Sequence, residues 1–321
     1  MLSRTADHLY WLARFIERAE NTARMLDVNY RMSLLPQNDA QIQRIWGATL
    51  SINGLQDLYQ TIYDQTTPEN VLKFMVFDKQ NGASIVECLR LARENAHAVR
   101  GTITSEMWET INSTWIELRE QSPENIEQDG VTEFLEWVKY QSHLVRGVTL
   151  GTMPRDEAFR FVRLGGFLER ADNTARILDV KYHILMPSAK DVGGAADYYQ
   201  WGALLHSLAG FEAYRQVYRD LITPIRVAEL LMLRDDMPRS LHYCMDQVYN
   251  GVQSLGSQHT WETERRAGEL HAQLHFGSME DIFQTGLHEY LTLFLKKINA
   301  LAQRISNDFL LPSATNALVL E

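Results

Sequence analysis

Apolar residues recur at helical spacing along this chain, most clearly in two stretches. Leu9, Leu12, Ile16, Ala19, Ala23, Leu26 and Tyr30 follow one another in alternating steps of three and four. Phe161, Leu164, Leu168, Ala171, Ala175, Leu178 and Tyr182 repeat the same steps. Such spacing keeps the apolar side chains on one stripe of a helix. It predicts two long helices, each with a packed seam of four turns or more. The alanines in mid-seam leave room for another helix to come close. Pro36 and Pro187 are the expected stops.

Further helices are predicted over 40–63, 84–102, 131–149, 193–219, 239–255, 257–276 and 278–310. Another opens at Ser105-Glu106. Short ones follow Pro68 and Pro224, where proline suits the first helical turn. Only 8 prolines occur in the whole chain, so little interrupts these segments. No segment alternates like a strand between turn residues. The expected fold class is all-α, a helix bundle.

The two long helices are also near copies. Residues 15–30 read FIERAENTARMLDVNY and residues 167–182 read FLERADNTARILDVKY, with 12 of 16 positions identical at an offset of 152. The echo continues downstream at lower similarity. Trp46-Gly47-Ala48 matches Trp201-Gly202-Ala203, and Tyr59 and Tyr63 match Tyr214 and Tyr218. Thr67-Pro68 matches Thr223-Pro224, and Ser84 and Cys88 match Ser240 and Cys244. A period this long does not belong to a small-unit solenoid. The expectation is two pseudo-symmetric halves, 1–152 and 153–321, packed as a single domain and each centred on a long helix with a Glu-Arg motif.

The first motif supplies Glu17, Arg18, Asn21 and Arg24, and the second supplies Glu169, Arg170, Asn173 and Arg176. Glu17, Asn21 and Arg24 share a stripe about 150° from the centre of the apolar seam, at roughly 100° per residue. Around them lie Ala6, Tyr10, Ala13 and Val28, and in the second copy Ala158, Val162, Gly165 and Val180. That setting is small, apolar and aromatic, so each helix is expected to be packed on two sides. Arg18 and Arg170, with Thr22 and Thr174, fall on the shoulder between the faces.

Three readings of the motif stay open. Glu20–Arg24 and Asp172–Arg176 form i, i+4 pairs, worth about 0.3–0.5 kcal/mol each on a surface. That does not account for an unchanged Glu, Asn and Arg. Alternatively, the Glu and Arg of the two copies pair in a buried interface, where breaking a pair costs about 3–5 kcal/mol. In the third reading the stripes form a site for a carboxylate or phosphate, which the guanidinium fork matches with two parallel bonds.

Charge and composition narrow the function classes. The net charge is −10, so phosphate backbones offer no counterion-release gain and nucleic acid is not expected as a partner. No stretch approaches about 18 consecutive apolar residues, and the N-terminus lacks the uncharged core of a signal peptide. No membrane partner is expected, and the default location is the cytoplasm. Cys88 and Cys244 read as reduced core thiols rather than a disulfide framework.

His271 and His275 lie one helical turn apart, with Glu269, Glu280 and His288 near in sequence. No third ligand stands at a set spacing, so they read as a helix face and no metal is expected. His97 and Arg100, near Glu106, either line the same groove as the motif or are solvated. There is no phosphate loop, dinucleotide fingerprint or nucleophile elbow, and no cofactor is expected.

The stretches MLSRTADHLYWLARFIERAENTARMLDV and MPRDEAFRFVRLGGFLERADNTARILDV resemble the bacterial alpha-E family, a former domain of unknown function named for its helices and a Glu-Arg motif. Residues 94–112 and the stretch around Pro238-Arg239-Ser240 resemble it too, and the likeness covers roughly residues 1–310. The motif transfers to Glu17-Arg18 and Glu169-Arg170. Asn81-Gly82-Ala83-Ser84 stands where the second half has Met237-Pro238-Arg239-Ser240, so only one half carries that arginine.

The resemblance implies a circularly permuted ATP-grasp protein as partner, with transglutaminase-like peptidases as frequent companions. ATP-grasp enzymes activate carboxylates as acyl phosphates and join them to amines. The expectation is a helical accessory or substrate-presenting subunit of an amide- or peptide-forming system, rather than a stand-alone enzyme. The alternative is an enzyme component. In it Glu17 and Glu169 would act as acid–base groups with raised pKa, and the arginines would hold a carboxylate or acyl phosphate.

Overall fold

A computed structural model describes residues 1–33, 38–122, 126, 130–183, 195–256 and 260–310. Among the described residues there are helices and no strands. They run as α1 (Ser3–Ser33), α2 (Asp39–Ile52), α3 (Gln56–Ile62), α4 (Pro68–Val76), α5 (Ile85–Ala98), α6 (Ser105–Arg119) and α7 (Val131–Thr152). The chain continues through α8 (Glu157–His183), α9 (Ala195–Ser207), α10 (Phe211–Tyr218), α11 (Pro224–Met232) and α12 (Leu241–Leu255). It ends with α13 (Trp261–His275), α14 (Met279–Thr285) and α15 (Leu287–Phe309). None of the described helices is long and apolar enough to cross a membrane.

The two longest-patterned helices, α1 and α8, pack against each other at the centre. Helices α2, α5, α7 and α9 lie against α1, and α12 and α15 lie against α8. The seam residues Leu9, Leu12, Ile16, Ala19, Ala23 and Leu26 are buried, as are Phe161, Leu164, Leu168, Ala171, Ala175 and Leu178. Ala6, Tyr10 and Ala13, on the opposite stripe of α1, are buried as well. Helix α1 is therefore surrounded on both sides, and anything polar on it must find partners inside the protein. The stops expected at Pro36 and Pro187, and the side chains of Val180 and Tyr182, lie outside what is described.

The crossing of α1 and α8 is close at one point. A Cβ on Gly165 would sit 2.2 Å from the Tyr10 carbonyl oxygen, so only glycine lets the two backbones meet there. The matching position in α1 is Ala13.

Three segments expected as single helices are broken in two. The 40–63 segment turns at Gly54, whose φ is +66°. The 193–219 segment breaks at Ala209, with φ 53°, and the 278–310 segment breaks at Gly286, with φ +97°. A left-handed residue ends the i to i+4 ladder while leaving the apolar periodicity on either side intact.

Local chemistry recurs at echoing positions. Ser84 caps α5 by accepting from the Glu87 amide, and Ser240 caps α12 by accepting from the Tyr243 amide. Tyr59 and Tyr214 each donate their hydroxyl at 2.8 Å to a carbonyl just beyond their own helix, on Gln65 and Leu221.

Candidate functional site

Charged residues of the motif meet where α1 crosses α8. Arg170 on α8 donates from Nε and Nη2 to the two oxygens of Glu17 on α1, at 2.9 and 2.8 Å. Arg18 on α1 donates from Nε and Nη2 to the two oxygens of Glu169 on α8, at 2.5 and 3.0 Å. The Glu-Arg dipeptide of each helix thus engages that of the other, with both pairs bidentate. Both carboxylates are almost completely buried.

Further arginines arrive from elsewhere. Arg146 on α7 reaches Glu17 at 2.9 Å and also pairs with Glu20. Arg239, in the turn before α12, donates to Glu17 at 3.1 Å, to Glu20 at 2.6 Å and to the Asn21 side-chain oxygen at 2.8 Å. The same turn is held by α8. Arg170 donates to the Pro238 carbonyl at 3.3 Å and the Thr174 hydroxyl donates to the Arg239 carbonyl at 2.9 Å. One motif therefore places the turn, and the other receives the arginine that the turn inserts.

Around Glu169 the arrangement is smaller. Arg14 donates to it at 2.8 Å and to the Tyr10 hydroxyl at 3.0 Å, with its guanidinium 4.9 Å from the centre of the Trp11 ring. Ala83 occupies the position that matches Arg239, so this end lacks an inserted arginine.

The remaining motif residues divide. Arg24 pairs with Glu20 at 2.7 Å within α1 and lies 3.1 Å from the His143 ring. Arg176 pairs with Asp172 at 2.7 Å within α8 and stays partly exposed, outside the central cluster. Asn173 is buried near the cluster, and its side-chain oxygen accepts no hydrogen bond. His97 and Arg100 are exposed and lie against Trp108, away from the motif.

Arg14, Glu20, Ser142, His143 and Arg146 belong to the site although sequence pattern does not single them out for it. Glu20 is fully buried and accepts from Ser142 at 2.9 Å as well as from three arginines. Its replacement by Asp172 in the second copy makes it look like half of a surface pair. Arg146 and His143 leave no signal, because they belong to a helix outside the similar stretches.

These partners decide the protonation states. Burial alone would raise the carboxyl pKa values, but the surrounding guanidinium groups outweigh it. Arg170, Arg239 and Arg146 hold Glu17 down at about 2. Arg18 and Arg14 hold Glu169 at about 2. Glu20 is held well below the usual carboxylate range by Arg239, Arg146 and Arg24. An acid–base role needs a carboxyl raised toward neutrality, and these are displaced the other way. The two thiols are displaced upward instead: burial pushes Cys88 and Cys244 to about 12.

Four guanidinium groups, those of Arg24, Arg146, Arg170 and Arg239, surround only two carboxylates, Glu17 and Glu20. Two cavities of about 260 Å³ flank this group, and Arg146, Arg170 and Pro238 line both. One of them adds Arg163 and Glu17 to walls of Leu12, Ile16, Val145, Val162 and Phe167. The other is bordered by Arg24, His143 and Arg239, and no carboxylate lines it. The donor set is guanidinium and carboxylate in mutual contact, which favours an oxyanion over a metal ion.

Residues 1–310 match the Alpha-E family model, described as a predicted alpha-helical domain with a conserved ER motif. The chain belongs to the Alpha-E family. The chain carries Glu-Arg dipeptides at Glu17-Arg18 and Glu169-Arg170, and these exchange bidentate ion pairs. No curated protein and no solved structure matches the chain.

Proposed function

We propose that this Alpha-E protein is a non-catalytic, substrate-presenting subunit of an amide- or peptide-forming system in the bacterial cytoplasm. Its partner in this reading is a circularly permuted ATP-grasp ligase, with a transglutaminase-like peptidase as a further companion. The two sequence halves act as one unit, since ion pairs tie α1 to α8.

One observation carries the reading. Arg146 and Arg170 border two cavities at the centre of a group with more guanidinium than carboxylate. A carboxylate or acyl phosphate entering there would meet guanidinium groups that outnumber their carboxylate partners. The walls of Leu12, Val145, Val162 and Phe167 suit an apolar body behind that head group. Glu17 and Glu169, held at about 2 and already accepting several bonds each, are structural anions in this scheme and transfer no proton.

The test is a calorimetric titration with short N-acylated peptides ending in a free carboxylate or in a carboxamide. The carboxylate form should bind and the carboxamide should not. Arg163→Ala, at the cavity wall, should weaken binding by about tenfold, the scale of one charge-assisted hydrogen bond. Co-expression with a circularly permuted ATP-grasp ligase should yield a complex and raise product formation. Equal binding of acid and amide would remove the ligand reading. A ligase whose complex and turnover ignore this protein would remove the partner reading.

A further inference from the structure

We propose that His242, Asp246, His271 and His275 form a binding site for a divalent transition-metal ion of the zinc class, clipping α12 to α13. The four residues are two i, i+4 pairs on neighbouring helices. His242 and Asp246 project from one face of α12, and His271 and His275 project from the facing side of α13. The ligand atoms of the three histidines all lie within 4.8 Å of one another.

The three histidines are within reach of one ion, and Asp246 lies beside two of them. A tetrahedral zinc with bonds of about 2.0–2.1 Å holds its ligand atoms roughly 3.3 Å apart. His275 Nδ1 lies 3.2 Å from His242 Nε2, and His242 Nε2 lies 3.6 Å from Asp246 Oδ1. The remaining close contact, His271 Nε2 to Asp246 Oδ1 at 2.6 Å, needs only a small opening on the solvent side to admit the ion.

An outer shell is already built. His242 Nδ1 lies 2.8 Å from the Leu233 carbonyl oxygen, which only accepts, so the ring proton sits on Nδ1. That fixes the tautomer that leaves the Nε2 lone pair facing the other ligands, the arrangement typical of a metal-bound histidine. The Tyr249 ring stacks on the His271 ring at 5.2 Å between centres and 12° between planes, setting its orientation. His242 is buried, His271 half-buried and His275 exposed, so an ion has a route in from solvent.

Without metal, the His275 Nδ1–H donates to His242 Nε2, and the His271 Nε2–H donates to Asp246. On binding, each of these rings moves its proton to its other nitrogen. Asp246, in contact with His271 and 3.6 Å from His242, supplies the one negative charge beside the three histidines.

Chelator-stripped full-length protein should be titrated with zinc chloride by calorimetry, and with cobalt(II) while the visible spectrum is recorded. One equivalent of zinc should bind, and cobalt should show the intense visible bands of four-coordinate geometry. His271→Ala and His275→Ala should each weaken binding at least about tenfold, the scale on which even outer-shell partners act. His288→Ala, at a histidine paired with Asp179, should bind as the parent does. The proposal is overturned by the absence of saturable binding at one equivalent. It is equally overturned by a weak octahedral cobalt spectrum, or by affinity that survives both substitutions or falls as much with His288→Ala. The cobalt spectrum is read on the unaltered protein, so the result stands even if a variant fails to fold.

Discussion

Arg170 grips Glu17 through both Nε and Nη2, at 2.9 and 2.8 Å, and joins α8 to α1 in doing so. Arg146 and Arg239 converge on the same carboxylate from two other parts of the chain. Removing the carboxylate leaves three buried or partly buried cations facing one another. Glu17→Gln should therefore lower the unfolding free energy by about 3–5 kcal/mol, the usual cost of orphaning one side of a buried pair. Urea denaturation at neutral pH measures it. A loss below about 1 kcal/mol would show that the pair behaves like an exposed one.

Acid should unfold the protein through the same groups. The ordinary carboxyl value is 4.5, and Glu17 and Glu169 sit at about 2 in the folded protein. Between those values the unfolded chain binds more protons than the folded one, so stability drops as the pH is lowered. The contribution is complete above the ordinary value and is lost as pH drops from 4.5 toward 2. Each group accounts for on the order of 3 kcal/mol. Urea midpoints at pH 7 and pH 3 test this, and a flat profile would contradict the assigned pairing. In Glu169→Gln the pH dependence should be shallower, with Glu17 and Glu20 still contributing.

Gly165 and Gly47 should respond in opposite senses to the same change. Gly165→Ala would push a methyl group against the Tyr10 carbonyl oxygen, 2.2 Å away, and force α1 from α8. A loss of about 1–3 kcal/mol is expected, as for other overpacked sites. Gly47 lies inside α2, and a Cβ placed there would meet nothing within 4 Å. Gly47→Ala should gain about 0.5–1 kcal/mol from helix propensity alone. Thermal melts of the two variants against the parent decide the matter.

Cys88 and Cys244 should resist labelling in the native protein. Both are fully buried, and burial holds their thiols at about 12, so thiolate is scarce at neutral pH. Reaction with an aromatic disulfide reagent should proceed no faster than unfolding, and both thiols should react at once in denaturant. Rapid labelling of either in buffer would show a more open core.

The sequence alone determined the helices and the two central stripes. Leu9 through Leu26 and Phe161 through Leu178 announce themselves because a helix turns every 3.6 residues, and that period is written in the local chain. The breaks at Gly54, Ala209 and Gly286 were not legible, since a single left-handed residue leaves the flanking periodicity unchanged. The Glu-Arg motif stood out as a repeated word, yet which residues it pairs with did not. Arg146 comes from α7, Arg239 from a turn that α8 holds in place, and His242 and Asp246 come from the helix beside His271 and His275. Such encounters depend on how far each helix is rotated and how closely helices cross, as Gly165 against Tyr10 sets the approach of α8 to α1. Those quantities are fixed by packing over the whole bundle, so only the tertiary structure decided which charges met.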